Sequence, residues 1–275
     1  MSKVTLDPGH QSYPNADTGA SGSNLHEEDI TLAICLQLKP LLQYNGIETI
    51  LTREGDYVNG PHSTLDESLQ TRVAISNNFN ADLFISVHVN AGGGTGSEVW
   101  VVSTGGRAEK AANAVLARLI ASCGWANRGV KTANDYVLKY TNAPAILTEN
   151  GFIDSVSDSA KLKDPAFIQG IAIAHAKGIC DYFGIQYKEK VAIDVLNVAV
   201  LLFSKDDFWS GTDVAAKNGN CAVFVRPVDR SVPKDAMSAK HLIVVGGGST
   251  KHPNETLLSG NTKYDTALAV KKYLG

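Results

Sequence analysis

Between residues 3 and 183, apolar runs of strand length alternate with longer runs of helical period, and this alternation limits the folds open to the chain. Residues 3–7 read as a strand that stops at Pro8. Ile30, Ile34, Leu38, Leu41 and Leu42 recur at helical spacing behind an acidic opening, Glu27-Glu28-Asp29, which suits the positive end of a helix. Gly46 ends that helix and residues 47–51 form the next strand. Residues 69–79 read as helix, 82–87 as a strand buried on both faces, 97–102 as strand and 107–123 as helix. A short apolar strand, 144–148, and a long helix, 166–183, complete the series. The order predicts an α/β domain with a mostly parallel sheet and helices on both faces. In such sheets reactive groups gather beyond the carboxyl ends of the strands.

The polar stretch 185–190 reads as a linker, after which the pattern restarts. Strands at 195–203, 221–225 and 241–245, with helices at 206–217 and 264–274, predict a second, smaller α/β domain over 191–275. The first domain is therefore placed at 1–184. With 275 residues and 44% hydrophobic side chains, the chain can build two cores without staples. Its four cysteines form no C-x-x-C pair, which argues against a cysteine-rich metal site. Cys35 and Cys180 fall in helical apolar patterns and are expected to be reduced core residues. A net charge of −3 gives no case for nucleic-acid binding. Residues 189–275 carry 11 basic against 9 acidic side chains and the rest of the chain is net −5, so the second domain is slightly the better suited to an anionic surface. No run of 18 apolar residues is present to span a membrane, and the opening MSKVTLDPGH lacks the apolar stretch of a signal peptide.

Four short segments carry chemistry. Asp7-Pro8-Gly9-His10 follows the first strand, Glu27 opens the first helix, Ser86-Val87-His88-Val89-Asn90 leaves the buried strand, and Thr148-Glu149-Asn150-Gly151-Phe152 leaves a later one. Taken singly, each has a plainer reading: a turn histidine, a helix-opening charge, a strand exit. Together they offer two imidazoles and a carboxylate, a normal ligand set for catalytic zinc, with a further acid to move a proton. The spacing by itself points to a metal-assisted amide hydrolase.

These segments resemble the zinc N-acetylmuramoyl-L-alanine amidases known as amidase-3, over residues 3–183. The matching motifs are D-P-G-H at Asp7–His10, Gly19-Ala20, Glu27-Glu28-Asp29-Ile30-Thr31-Leu32-Ala33, Leu51-Thr52-Arg53, Ser86 to Ala91, Arg128-Gly129-Val130-Lys131, and Pro144 to Phe152. The resemblance implies Zn²⁺ held by His10, Glu27 and His88, with Glu149 catalytic. It implies cleavage of the amide between N-acetylmuramic acid and L-alanine in peptidoglycan. Gln11-Ser12-Tyr13 departs from the glycines frequent in the family at that point. His26 is a rival ligand that the family register sets aside as an exposed neighbour. Arg128 and Lys131 suit a stem-peptide carboxylate, and Asn90 suits His88 or the substrate. His62 is expected in a solvated loop near the cleft, and Trp100 is expected to pack as core.

Residues 191–275 resemble, less specifically, the clostridial-type cell wall binding repeat 2. The matching features are Asp206-Asp207-Phe208 after a strand, Leu242 to Gly248 running into glycines, and Tyr264-Asp265-Thr266-Ala267 on the closing helix. The resemblance implies anchoring to a wall polymer. A single copy suggests self-association through this domain to assemble a full binding surface. With no export signal, an endolysin-type role is expected: synthesis in the cytoplasm and release to the wall through a holin-type pore or at lysis. The competing readings are a zinc peptidase cutting within the stem peptide and a non-catalytic wall-binding protein.

Overall fold

A computed structural model of the chain describes residues 1–12, 17–60, 63–189 and 196–275. His62, Tyr13 and residues 190–195 lie outside the described residues. Two compact units are present, Met1–Glu189 and Lys190–Gly275.

In the first unit, in chain order, the elements are β1 (Lys3–Pro8), β2 (Ser21–Gly22), β3 (Leu25–His26), α1 (Glu27–Tyr44), β4 (Glu48–Leu51), α2 (Leu65–Phe79), β5 (Leu83–Asn90), β6 (Ser97–Val101), α3 (Arg107–Cys123), β7 (Asn127–Thr132), α4 (Tyr136–Tyr140), β8 (Ala145–Phe152), α5 (Val156–Leu162) and α6 (Pro165–Phe183). The main sheet runs β4-β1-β5-β8-β6-β7. Every pairing in it is parallel except that of β6 with β8. The mixed α/β architecture with a largely parallel sheet is thus the one expected. The reversal at β6, the strand β7, the β2–β3 hairpin and the short helices α4 and α5 are additions to it.

Alternation along each strand divides the sheet into two faces. Val4, Leu6, Ile85, Val87, Val99 and Ile146 point into a large core shared with Ile34 and Leu38 of α1, Val115 and Leu119 of α3, and Ile171 and Ile179 of α6. Cys35 and Cys180 lie in this core and all four cysteines are free thiols. The opposite face packs Phe84, Ala145 and Leu147 against Val73 of α2 and Val137 and Leu138 of α4, with Leu69, Trp100 and Tyr136 partly buried beside them. The helices on this side are few and α4 is short, so part of the face stays open towards the strand ends. The polar side chains Asp7, Ser86, His88, Glu98 and Glu149 line that opening.

Helix α2 begins at a full capping box, with Thr64 and Glu67 each satisfying the other's backbone N–H. Residues 185–189 pack on this unit: Ile185 and Tyr187 contact the core, and the Asn45 side chain exchanges two hydrogen bonds with the Lys188 backbone.

The second unit contains β9 (Val198–Leu202), a 3₁₀ turn at Lys205–Asp207, α7 (Phe208–Lys217), β10 (Ala222–Val225), α8 (Lys234–Met237), β11 (His241–Val245), β12 (Glu255–Leu258) and α9 (Lys263–Leu274). Its four strands are all parallel, in the order β10-β9-β11-β12. Val200, Leu202, Ile243 and Val245 pack on Val214 of α7 and Val270 of α9. Ala199, Leu201, Leu242 and Val244 pack on Ala236 and Ala239. Gly247 sits at φ +69°, and a Cβ there would lie 2.2 Å from the Phe203 ring, so the glycine run is a close-packing turn.

Candidate active site

The site is built where β1, β5 and β8 end together. Parallel pairing sets Asp7 beside Ser86, and His88 beside Glu149. Because β6 runs the other way, Glu98 is brought beside Glu149 on its far side. Side chains at paired positions share a face, so His88, Glu149 and Glu98 form one row across three strands.

His10 and Glu27 reach the end of this row from the left. The Glu27 Oε1 atom lies 3.2 Å from His10 Nε2 and 3.1 Å from His88 Nδ1. Among the described residues, His10, Glu27 and His88 are the one group of three or more whose donor atoms crowd together in this way, all within 4.8 Å of one another. His26 is exposed and bonds Ser21, away from the cluster.

Each ring is fixed through its other nitrogen. His10 Nδ1 lies 2.6 Å from Asp17 Oδ1, which assigns the proton to Nδ1 and leaves Nε2 free to accept a ligand bond. His88 Nε2 lies 3.1 Å from Ser86 Oγ, and that hydroxyl donates to Asp7 Oδ2 at 2.7 Å. Asp7 is buried and is also held by Thr52 Oγ1 at 2.6 Å and Arg72 Nη1 at 2.5 Å. Burial raises the Asp7 carboxyl, but the Arg72 charge and the bonds from Thr52, Ser86 and Arg72 outweigh it and hold the group ionised.

The Pro8-Gly9-His10 turn is strapped by two buried guanidiniums. Arg72 Nη2 donates to the His10 carbonyl at 2.6 Å, and Arg53 donates to the carbonyls of Pro8, Gly9 and Glu28. His10 takes φ 61°, a left-handed conformation unusual for a non-glycine residue, and these bonds hold it there. Gly9 is required by proximity: a Cβ on it would meet the His88 ring at 2.4 Å. Gly19 does the same for the other side of the cluster, with a Cβ position 2.5 Å from Glu27 Oε2 and 2.5 Å from the His10 ring. Gln11, at the departure from the glycine pattern, is buried. Its N–H donates to the Asp17 carbonyl, and its Oε1 accepts from Val58.

Glu27 is 4% exposed. Its Oε2 accepts from Ala20 N–H at 2.8 Å and its Oε1 from Val89 N–H at 3.0 Å. Burial pushes its carboxyl up, but bonds and charge from His10 and His88 win and leave it far below the usual range. Burial lowers the His10 ring, but Asp17 and Glu27 more than reverse this and raise it to about 10. Such a cluster attracts positive charge strongly. Two imidazole nitrogens and one carboxylate oxygen, with the outer nitrogens already bonded, fit a divalent metal ion with nitrogen preference.

Glu149 has the opposite electrostatics. Its Oε2 is inaccessible to solvent and has no hydrogen-bond partner. Burial, then the negative charges of Glu27 and Glu98, raise its carboxyl well above the usual range, with His10 opposing and Asp135 adding. A carboxyl poised to hold a proton therefore stands beside a cation-seeking cluster, in a cleft of about 540 Å³ walled by Leu65, Leu69, Trp100, Tyr136 and Val137. Trp100 is both cleft wall and partial core, being packed against the α2–α4 cluster.

Asn90, Arg128 and Lys131 converge on one carboxylate that the sequence reading passed over. Glu98 accepts from Asn90 Nδ2 at 3.0 Å, Arg128 Nε at 2.7 Å and Lys131 Nζ at 2.5 Å. A charged residue inside the expected strand 97–102, directly before the apolar run Val99–Val102, was the signal for it. Arg72 carried a similar signal, falling at helical spacing between Leu69 and Val73 on a buried face. Asp17 offers no such pattern.

Residues 4–181 match the Amidase_3 family, N-acetylmuramoyl-L-alanine amidase. The chain is 41% identical over 190 residues to the sporulation-specific N-acetylmuramoyl-L-alanine amidase of Bacillus subtilis, covering 68% of this chain and 70% of that protein. It is 35% identical over 198 residues to the endolysin of Bacillus phage SPP1, covering 68% and 69%. Among solved structures, the CwlD amidase from Clostridioides difficile, in complex with the GerS lipoprotein, superposes with a TM-score of 0.62 at 30% identity. That likeness covers 67% of this chain and 99% of CwlD. With the matched span holding all four converging side chains, the chain belongs to the Amidase_3 family of N-acetylmuramoyl-L-alanine amidases.

Proposed function

We propose that the protein is a zinc-dependent peptidoglycan hydrolase of the endolysin type that cuts the amide between N-acetylmuramic acid and L-alanine. The observation that carries this reading is the meeting of His10, Glu27 and His88 around one point, with Glu149 one strand away in register. His10 Nε2, His88 Nδ1 and Glu27 Oε1 would hold the ion. Bound zinc would supply polarisation of the scissile carbonyl and acidification of water to a pKa of about 7. Asp17 and Ser86 keep the two imidazoles in the tautomers that leave these nitrogens free. Glu149 accepts one proton of the attacking water. The water oxygen bonds to the lactyl carbonyl carbon, the carbon–nitrogen bond breaks, and Glu149 returns the proton to the departing L-alanine amine. The apolar wall of the cleft lowers the water content around this exchange and keeps Glu149 protonatable.

The endolysin role is supported by the likeness to the SPP1 endolysin. No helix among the described residues is long and apolar enough to cross a membrane. The second unit is read as a grip on a wall polymer that raises local enzyme concentration on an insoluble substrate. Trp209, Tyr264 and Leu268 are 80%, 74% and 66% exposed on that unit, and they support self-association through it. A monomeric mass by light scattering at working concentration removes the self-association reading.

End-group analysis of digested walls tests the main reading. New L-alanine amino ends with intact glycan, abolished by chelator and restored by zinc, are expected. New amino ends within the stem peptide would replace the amidase by a peptidase, and no new ends at all would leave a wall-binding protein.

A further inference from the structure

Glu98 is a carboxylate at 2% exposure within an apolar strand, directly beside a second carboxylate, Glu149. Burying such a charge is costly unless it is paired, and like charges set opposite each other across a sheet destabilise it. The chain resolves this with two cations and an amide. Arg128 spends only its Nε on Glu98, and Lys131 only one of its three N–H groups. Among the described residues, the Arg128 Nη atoms have no hydrogen-bond partner. The guanidinium lies over the Phe152 ring at 4.8 Å and the Lys131 ammonium over the Trp100 ring at 5.1 Å. Both cations are thus held in place with donors to spare. The cluster of Glu98, Arg128 and Lys131 is net positive beside a cleft whose other charged walls include Asp17, Asp135 and Arg72.

We propose that Glu98 is a positioning residue that gathers Asn90, Arg128 and Lys131 into one receptor for a free carboxylate on the peptide part of the substrate. The proposal rests on the amidase reading. Its reach follows from the sheet. Trp100 pairs with both Leu147 of β8 and Lys131 of β7, so Lys131 springs from a strand two spacings from that of Glu149, roughly 10 Å. An extended peptide covers that in about three residues, and less once the side chains lean inward. The receptor therefore falls within reach of a carboxylate one or two residues from the scissile amide. In stem peptides the residue after L-alanine carries an α-carboxyl that is either free or capped as a carboxamide. The receptor selects the free form, because a guanidinium fork and an ammonium match a carboxylate and gain little from an amide.

Two soluble muropeptides that differ only in this group, free acid against carboxamide, test the proposal through initial rates of L-alanine end formation. The wild type is expected to favour the free acid about tenfold in kcat/KM, with the difference in KM. Glu98→Gln, Arg128→Ala and Lys131→Met should each bring the ratio towards one, and Lys131→Arg should keep it. Arg128 is exposed, so its variant reads the receptor even if Glu98→Gln fails to fold. A wild-type ratio near one overturns the proposal, as does a Glu98→Gln enzyme that loses kcat on both substrates with its preference intact. If the wild type forms no L-alanine ends from either muropeptide, it is the amidase reading that fails.

Discussion

Replacing Gly9 by alanine tests how tightly the proposed metal site of His10, Glu27 and His88 is built. Gly9 is outside the left-handed region, so alanine can take its backbone conformation without strain. The only cost is space. The new Cβ would stand 2.4 Å from His88 Cε1, 2.5 Å from Nε2 and 2.7 Å from Nδ1. Carbon atoms settle at about 3.5–4.0 Å, so the ring must retreat by ~1 Å. It cannot do so and keep both the Ser86 bond and the approach to Glu27 at 3.1 Å. A ~1 Å displacement of a reacting group can cost about 100-fold in rate, and a disturbed ligand orientation about 10–100-fold in metal affinity. Overpacking adds a stability loss of about 1–3 kcal/mol. Gly9→Ala should thus fold, bind zinc at least tenfold more weakly in a chelator competition, and hydrolyse muropeptide about 100-fold more slowly. Gly170→Ala is the control. That glycine lies within α6 with open space where its Cβ would go, so alanine should add about 0.5–1 kcal/mol and leave zinc binding alone. Wild-type zinc affinity and rate in Gly9→Ala would refute the argument that His88 is held against Gly9 in the working enzyme.

Three other perturbations separate function from stability. Glu149→Gln should lower kcat about 10²–10⁴-fold while zinc stays bound, and should raise the melting temperature in alkaline buffer, because it removes a carboxyl whose ionisation is opposed by burial and by the charges of Glu27 and Glu98. Unchanged hydrolysis would remove Glu149 from the mechanism. Arg72→Met leaves the buried Asp7 with only the Thr52 and Ser86 hydroxyls as side-chain hydrogen-bond partners and frees the His10 carbonyl, so a loss of about 3–5 kcal/mol in urea unfolding is expected. A loss under 1 kcal/mol would show that solvent reaches Asp7. His175 is fully buried between Thr148 and the Ile171 carbonyl, and burial lowers its ring to about 4. The unfolded chain takes up that proton below about 6.5 and the native state does not, so stability falls as pH drops from 6.5 to 4, by about 3 kcal/mol. His175→Gln should flatten that part of the pH–stability curve. An unchanged slope would mean that the ring titrates normally in the fold.

Periodicity and turn chemistry determined most of the fold. The apolar spacing of Ile30, Ile34 and Leu38, the run 83–87 and the helix-ending Gly46 are local statements. They hold because a helix or strand must present one face to a core whatever its neighbours are. The motif Asp7-Pro8-Gly9-His10 was likewise legible, and Glu27, His88 and Glu149 were legible as candidates through their occurring together and in order, although His88 and Glu149 lie within β5 and β8 and not at the strand ends that the sequence suggested. What the sequence could not carry was strand order. The reversal of β6 depends on which edge of β8 it pairs with, and only that pairing sets Glu98 beside Glu149 and turns Arg128 and Lys131 onto it. Asp17 behind His10, and the chain from His88 through Ser86 to Asp7 and Arg72, are meetings of residues up to 79 positions apart. Side-chain type names the groups able to take part in such contacts. The packed backbone alone decides which of them come within 3 Å, because hydrogen bonding and metal ligation are short-ranged and depend on where the strands end.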